Sequence, residues 1–159
     1  MSFIFPDWKF RRLPRTIYRS LSAQCDYLAE VIEQYKSGRN NGLNYRVVRR
    51  AAHNTDAEVA SLISTLATEP DFDPTQKSLA FEFLCLNHTF ISYIAALGAH
   101  REKIDDPQIL ELMDRAFDNI QGALLRDEMP DLTAQNMLQT IRCLLYTSPS
   151  PRDRQKSRM

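Results

Sequence analysis

A chain of 159 residues with no net formal charge is the size of one domain and can enclose a single sizeable core. The charge balance gives no reason to expect nucleic acid as a partner, and 4 glycines without sustained apolar–polar alternation favour helices over sheet. Cys25, Cys85 and Cys143 lack the paired spacing of a disulfide or zinc framework. Cys25 and Cys85 fall on apolar helix faces, and both read as small core residues in a reducing compartment. No secretory leader is evident.

The opening residues 1–12 crowd Phe3, Phe5, Trp8 and Phe10 against Lys9, Arg11 and Arg12. Rings and basic groups so mixed suit the membrane–water interface on the side where a span ends. An arm packing its rings on the bundle is the competing reading. Pro14 suits the first turn of a helix to about Lys36, with Ile17, Leu21, Cys25, Leu28, Ile32 and Tyr35 on one face. Ser37-Gly38-Arg39-Asn40-Asn41-Gly42 ends it, since glycine and asparagine tolerate the left-handed backbone of a helix stop. A second helix follows over roughly Leu43 to Thr68, its stripe being Val48, Ala52, Val59, Leu62, Ile63 and Leu66.

Asp73-Pro74 opens a third helix, whose stretch Leu79 to Arg101 is apolar on nearly every side. From Phe83 to His100 it holds no charged residue apart from histidine, about the ~20 residues that cross a bilayer. Asn87, His88, Thr89, Ser92 and Gly98 argue instead for a helix enclosed at the centre of a soluble bundle. Asp106-Pro107 starts a fourth helix, with Ile109 or Leu110, Met113, Phe117, Ile120 and Leu124 facing in. Pro130 starts a fifth, with Leu132, Leu138 and Ile141 inward. Short connections make this an all-α, antiparallel bundle of four to five helices over residues 13–142.

Residues 143–159, CLLYTSPSPRDRQKSRM, resemble the translation of a sequencing-library adapter rather than natural protein. Arg152, Arg154, Lys156 and Arg158 against Asp153 give this tail +3, so the remaining residues carry −3 and a basic tail function is not expected.

Arg49, His53 and Asp56 are spaced to share one face of the second helix; His88 and Asn87 lie midway along the third, and His100-Arg101 at its end. The expected role is a hydrogen-bonded network locking helices together. A metal site from His53, Asp56 and His88 is the sharper alternative, though its spacing matches no known signature. Asp105 and Asp106 read as helix-capping carboxylates. No nucleophile elbow, phosphate-binding glycine loop or nucleotide fingerprint occurs, so neither an enzyme nor a cofactor is expected.

FPDWKFRRLPR, YRVVRRAAHNTDAEVAS and AFEFLCLNHTFISYIAALGAHRE closely resemble the C-terminal cytoplasmic region of the YccS/YhfK family of bacterial inner-membrane proteins. The likeness runs from about Phe3 to Arg142. That family belongs to the wider fusaric-acid-resistance-like (FUSC) group of efflux transporters. The resemblance implies an inner-membrane protein whose last span precedes FPDW, so that Met1 is an internal methionine or the start of a truncated read. It implies a cytoplasmic domain that packs on the transmembrane part of the same parent or on a second subunit, with an assembly or regulatory role. The family offers no catalytic residues to carry over. Arg49, Arg50, His53, Asn54, Asp56, Asn87, His88, His100 and Arg101 match its motifs and are candidates for a packing network or an interdomain contact. A soluble ligand- or metal-binding bundle is the alternative.

Overall fold

The computed structural model describes residues 5–125, which form four α-helices: α1 Phe5–Ser37, α2 Leu43–Ala67, α3 Pro74–Ala99 and α4 Pro107–Leu124. Among the described residues there is no strand, and the fold is all-α. Phe3, the expected fifth helix and the tail from Cys143 lie outside them.

Cross-helix pairs give the directions. Tyr27 meets Tyr45 and Arg19 meets Glu58, so residues late in α1 face residues early in α2 and the two run antiparallel. Asp56 meets Asn87 while Tyr45 meets Gly98, which makes α2 and α3 antiparallel as well. α4 returns along α1 from the Lys36–Asp114 ion pair. α1 packs against each of the other three helices.

α1 buries the whole expected stripe, Ile17, Leu21, Cys25, Leu28, Ile32 and Tyr35, but it begins nine residues before Pro14. A proline inside a helix forfeits one backbone hydrogen bond, yet α1 continues through Pro14, where Leu13 and Ile17 are both buried in the core. Gly38, at φ 97°, stops the helix in the left-handed region, its N–H bonded to Gln34 O at 2.8 Å. α2 buries Ala52, Val59, Ile63 and Leu66, with Val48 and Leu62 half-buried.

Three expectations need correction. α3 is not enclosed: it buries Ala80, Phe83, Asn87, Ile91, Ile94 and Gly98 along one face, and only 28% of its most apolar window lies inside the domain. Phe81, Leu97 and Tyr93 (67% exposed) stand open away from that face, because among the described residues α1 takes the central place and α3 packs only against α1 and α2. Cys85, expected in the core, is exposed on that outer side. α4 contributes no fully buried residue: Leu110, Met113, Phe117, Ile120 and Leu124 are half-buried and Ile109 is exposed, since α4 lies along α1 at the edge of the bundle. Its start is as expected, with the Asp106 carboxylate accepting from Gln108 N–H at 2.9 Å, whereas Asp73 makes no side-chain cap bond.

The two faces of α3 separate in stability. Phe83→Ala, which empties a core site, should cost about 3–5 kcal/mol in urea unfolding. Tyr93→Ala should cost about 0.5 kcal/mol or less. Comparable losses at both positions would mean that α3 is covered on both sides.

Candidate functional site

Polar side chains on the inward faces of the helices gather into two clusters. In the first, Asn87 of α3 lies where α1, α2 and α3 meet. Its Nδ2 donates to Asp56 Oδ1 at 2.7 Å and to Ser20 Oγ at 3.2 Å, and its Oδ1 accepts from Gln24 Nε2 at 2.8 Å. Gln24 Nε2 also donates to Ser20 Oγ at 3.2 Å. Both faces of one amide are thus used, and one residue ties three helices. The second Asp56 oxygen lies 3.2 Å from His88 Nδ1, a hydrogen bond when that nitrogen carries the proton. The His88 side chain is 72% exposed, so this is a rim contact worth little by itself.

The second cluster closes the other end. The Arg101 guanidinium is buried, 3.8 Å over the Tyr45 ring, with Nη1 donating to Gln34 Oε1 at 2.7 Å and Nη2 to Asn41 Oδ1 at 2.9 Å. It binds the end of α3 to α1 and to the turn before α2. Tyr27 and Tyr45 hydroxyls meet at 3.3 Å, and Tyr35 donates to Leu97 O at 2.8 Å. Gly98 makes the approach possible: a Cβ there would sit 3.0 Å from the Tyr45 hydroxyl oxygen and 3.4 Å from Val31 Cγ2. Burial pushes the Tyr27 hydroxyl up to about 12, helped by its bond to Tyr45 and opposed by the charges of Arg49 and Arg101. Burial likewise raises Tyr35, and it pushes the Cys25 thiol up to about 11. Gln24 Oε1 and Arg101 Nε are buried without a hydrogen-bond partner among the described residues.

Of the nine residues read from the sequence, Asp56, Asn87 and His88 come together and Arg101 anchors a separate cluster. Arg49, Arg50, His53, Asn54 and His100 are exposed; the His53 ring stands 6.4 Å from that of Tyr27, centroid to centroid. Among the described residues no group of three or more His, Cys, Asp and Glu side chains is placed to hold a metal ion. The spacing of Arg49, His53 and Asp56 therefore does not translate into one site, because the helix turns Asp56 inward and leaves the other two at the surface. Sequence reasoning passed over Ser20, Gln24, Gln34, Tyr27 and Tyr45. Ser20, Gln24 and Gln34 were detectable as polar residues among the apolar positions that α1 turns inward.

Fold and site together define an all-helical domain whose buried polar groups bond chiefly to one another. No family model and no solved structure matches the chain. Inner membrane protein YccS of Escherichia coli (strain K12) is 52% identical over 124 residues, which is 78% of this chain and 17% of that protein. An uncharacterized protein of Haemophilus influenzae is 33% identical over 108 residues, 68% of this chain and 15% of that one. An uncharacterized protein of Neisseria gonorrhoeae is 34% identical over 71 residues, 44% of this chain and 17% of that one. The chain belongs to the YccS family of inner membrane proteins, and it spans less than a fifth of the length of the curated relatives it matches.

Two outcomes follow from the clusters. Asn87→Leu removes the donor to Asp56 and should destabilise by about 2–4 kcal/mol; the double change Asp56→Leu/Asn87→Leu should cost less than the sum of the singles in chemical denaturation, because it leaves no orphaned carboxylate. Tyr27 is buried neutral with its folded value raised from 10.0 to about 12. Its stabilising effect is therefore whole below about pH 10 and disappears as pH climbs through about 12. Cys25 acts in the same direction, so in melts across that range Tyr27→Phe should weaken the alkaline loss without abolishing it.

Proposed function

We propose that this chain is the C-terminal cytoplasmic helical domain of an inner-membrane efflux transporter, serving assembly or regulation and performing no chemistry of its own. The observation that carries this reading is Asn87. The polar groups best placed to do chemistry, Asp56 and Asn87, are spent on holding α1, α2 and α3 together. A carboxylate engaged by an amide and an imidazole is a clamp, and the domain offers a partner a stable surface in place of a reaction centre.

The aqueous placement is supported by the company α3 keeps. α3 is long and apolar enough to cross a bilayer by length and composition alone. Yet α2 packs along it antiparallel and carries Arg46, Arg49, Arg50, Asp56 and Glu58. Sinking α3 into lipid would take those charges with it, at about 2.5–3.5 kcal/mol or more for each one at the bilayer centre. In this reading the open side of α3 faces water or the transmembrane part of the same parent, and residues 1–12 form the stub below the last span. A second subunit docking on the domain fits the same role.

Cys85 provides the test, because it is exposed on α3 while Cys25 is buried. In the intact parent stripped of its other reactive cysteines, a membrane-impermeant maleimide should label Cys85 in inverted inner-membrane vesicles and not in spheroplasts. Labelling in spheroplasts would reject the cytoplasmic assignment; should Cys85 resist the reagent in both preparations, Glu111→Cys at an exposed position of α4 takes its place with the same two outcomes.

A further inference from the structure

The N-terminal half of α2 presents a surface that neither the fold nor the polar clusters use. Leu43, Arg46, Val47 and Arg50 recur at steps of three and four on its outer side, with Arg49 beside them and Arg39 in the preceding turn. All six are exposed, the two apolar ones to 71% for Leu43 and 54% for Val47. Between Leu43 and Thr55 α2 has no acidic residue, and among the described residues no carboxylate pairs with any of these four arginines. Glu30, whose carboxylate reaches α2 at Asn44, is also bonded by Gln34.

We propose that this face docks on an anionic lipid surface, with the arginines on headgroup phosphates and Leu43 and Val47 entering the boundary of the acyl chains. The inference rests on the membrane-side placement argued above. Charge complementarity favours lipid, and so does the size of the apolar element. Two aliphatic tips between guanidinium groups are enough for an interfacial anchor, whereas a stable protein interface needs on the order of 800 Å² per partner with an apolar centre.

The docking has a geometric consequence. The patch adjoins Tyr27 of α1 through Tyr45, 22 residues beyond Phe5 and so about 33 Å along the helix. With a screening length of about 8 Å, an α1 standing upright on the bilayer would hold these arginines out of reach. Contact at both places lays α1 along the membrane.

The test uses the whole 159-residue chain in flotation with phosphatidylcholine vesicles, with and without phosphatidylglycerol. The stub and the basic tail are common to all variants, so differences report on α2. The chain should float with the anionic vesicles and less as salt rises. Arg46→Gln/Arg49→Gln/Arg50→Gln should weaken binding about tenfold or more, while the corresponding lysine variant retains it. Leu43→Ser/Val47→Ser should weaken binding several-fold and reads the apolar contribution independently. Equal binding by the glutamine variant and the parent sequence overturns the proposal. So does equal binding to neutral vesicles, or a chain that stays in solution with both, the result expected if an acidic protein segment is the true partner. Cys85 labelling reports separately on the side of the membrane, so either idea can fail alone.

Discussion

A single amide at the crossing of three helices is the constraint on which the bundle depends. Asn87 can satisfy its donor and its acceptor only if α1 brings Ser20 and Gln24 and α2 brings Asp56 to the same level of α3. Apolar packing would tolerate a shift of one helix along another, since one aliphatic contact can replace another at small cost. A buried amide beside a carboxylate does not tolerate it, because each unmade bond in a dry interior costs about 1–3 kcal/mol. The cluster sets the relative heights of the helices, and Phe83, Ile63, Ile91 and Val59 are among the buried apolar residues that fill the core.

The Arg101 cluster does the same for the loops. A buried guanidinium over Tyr45, bonded to Gln34 and Asn41, joins the end of α3 to α1 and to the turn before α2. Gly98 is what lets α3 approach closely enough. These two clusters divide the domain's polar resources between register and closure, and both leave the outer side of α3 and the outer side of α2 free for contacts with something else.

That division fits a domain in a family of inner membrane proteins. One open side is apolar, carried by α3 with Phe81, Tyr93 and Leu97, and the other is basic and lightly apolar, carried by α2. Two exposed surfaces of different chemistry therefore lie on adjacent helices, which apolar burial and the two polar clusters leave unused among the described residues.

Much of the fold was legible in the chain. The helical period of α1 and α2, the Asp-Pro starts of α3 and α4 and the stop at Gly38 all depend on local chemistry, which neighbouring residues settle among themselves. Asp56, Asn87, His88 and Arg101 could be singled out because polar residues on an apolar helix invite a partner. Which partner they take could not be read, since Ser20 and Gln24 lie more than 60 positions from Asn87 and their pairing depends on how the helices are stacked. Tertiary structure alone decided that, among the described residues, α1 occupies the centre and α3 keeps an uncovered side, and that Arg49 and His53 face outward while Asp56 turns in. Composition tells how much apolar surface a helix has. Only the arrangement of its neighbours tells how much of it they cover.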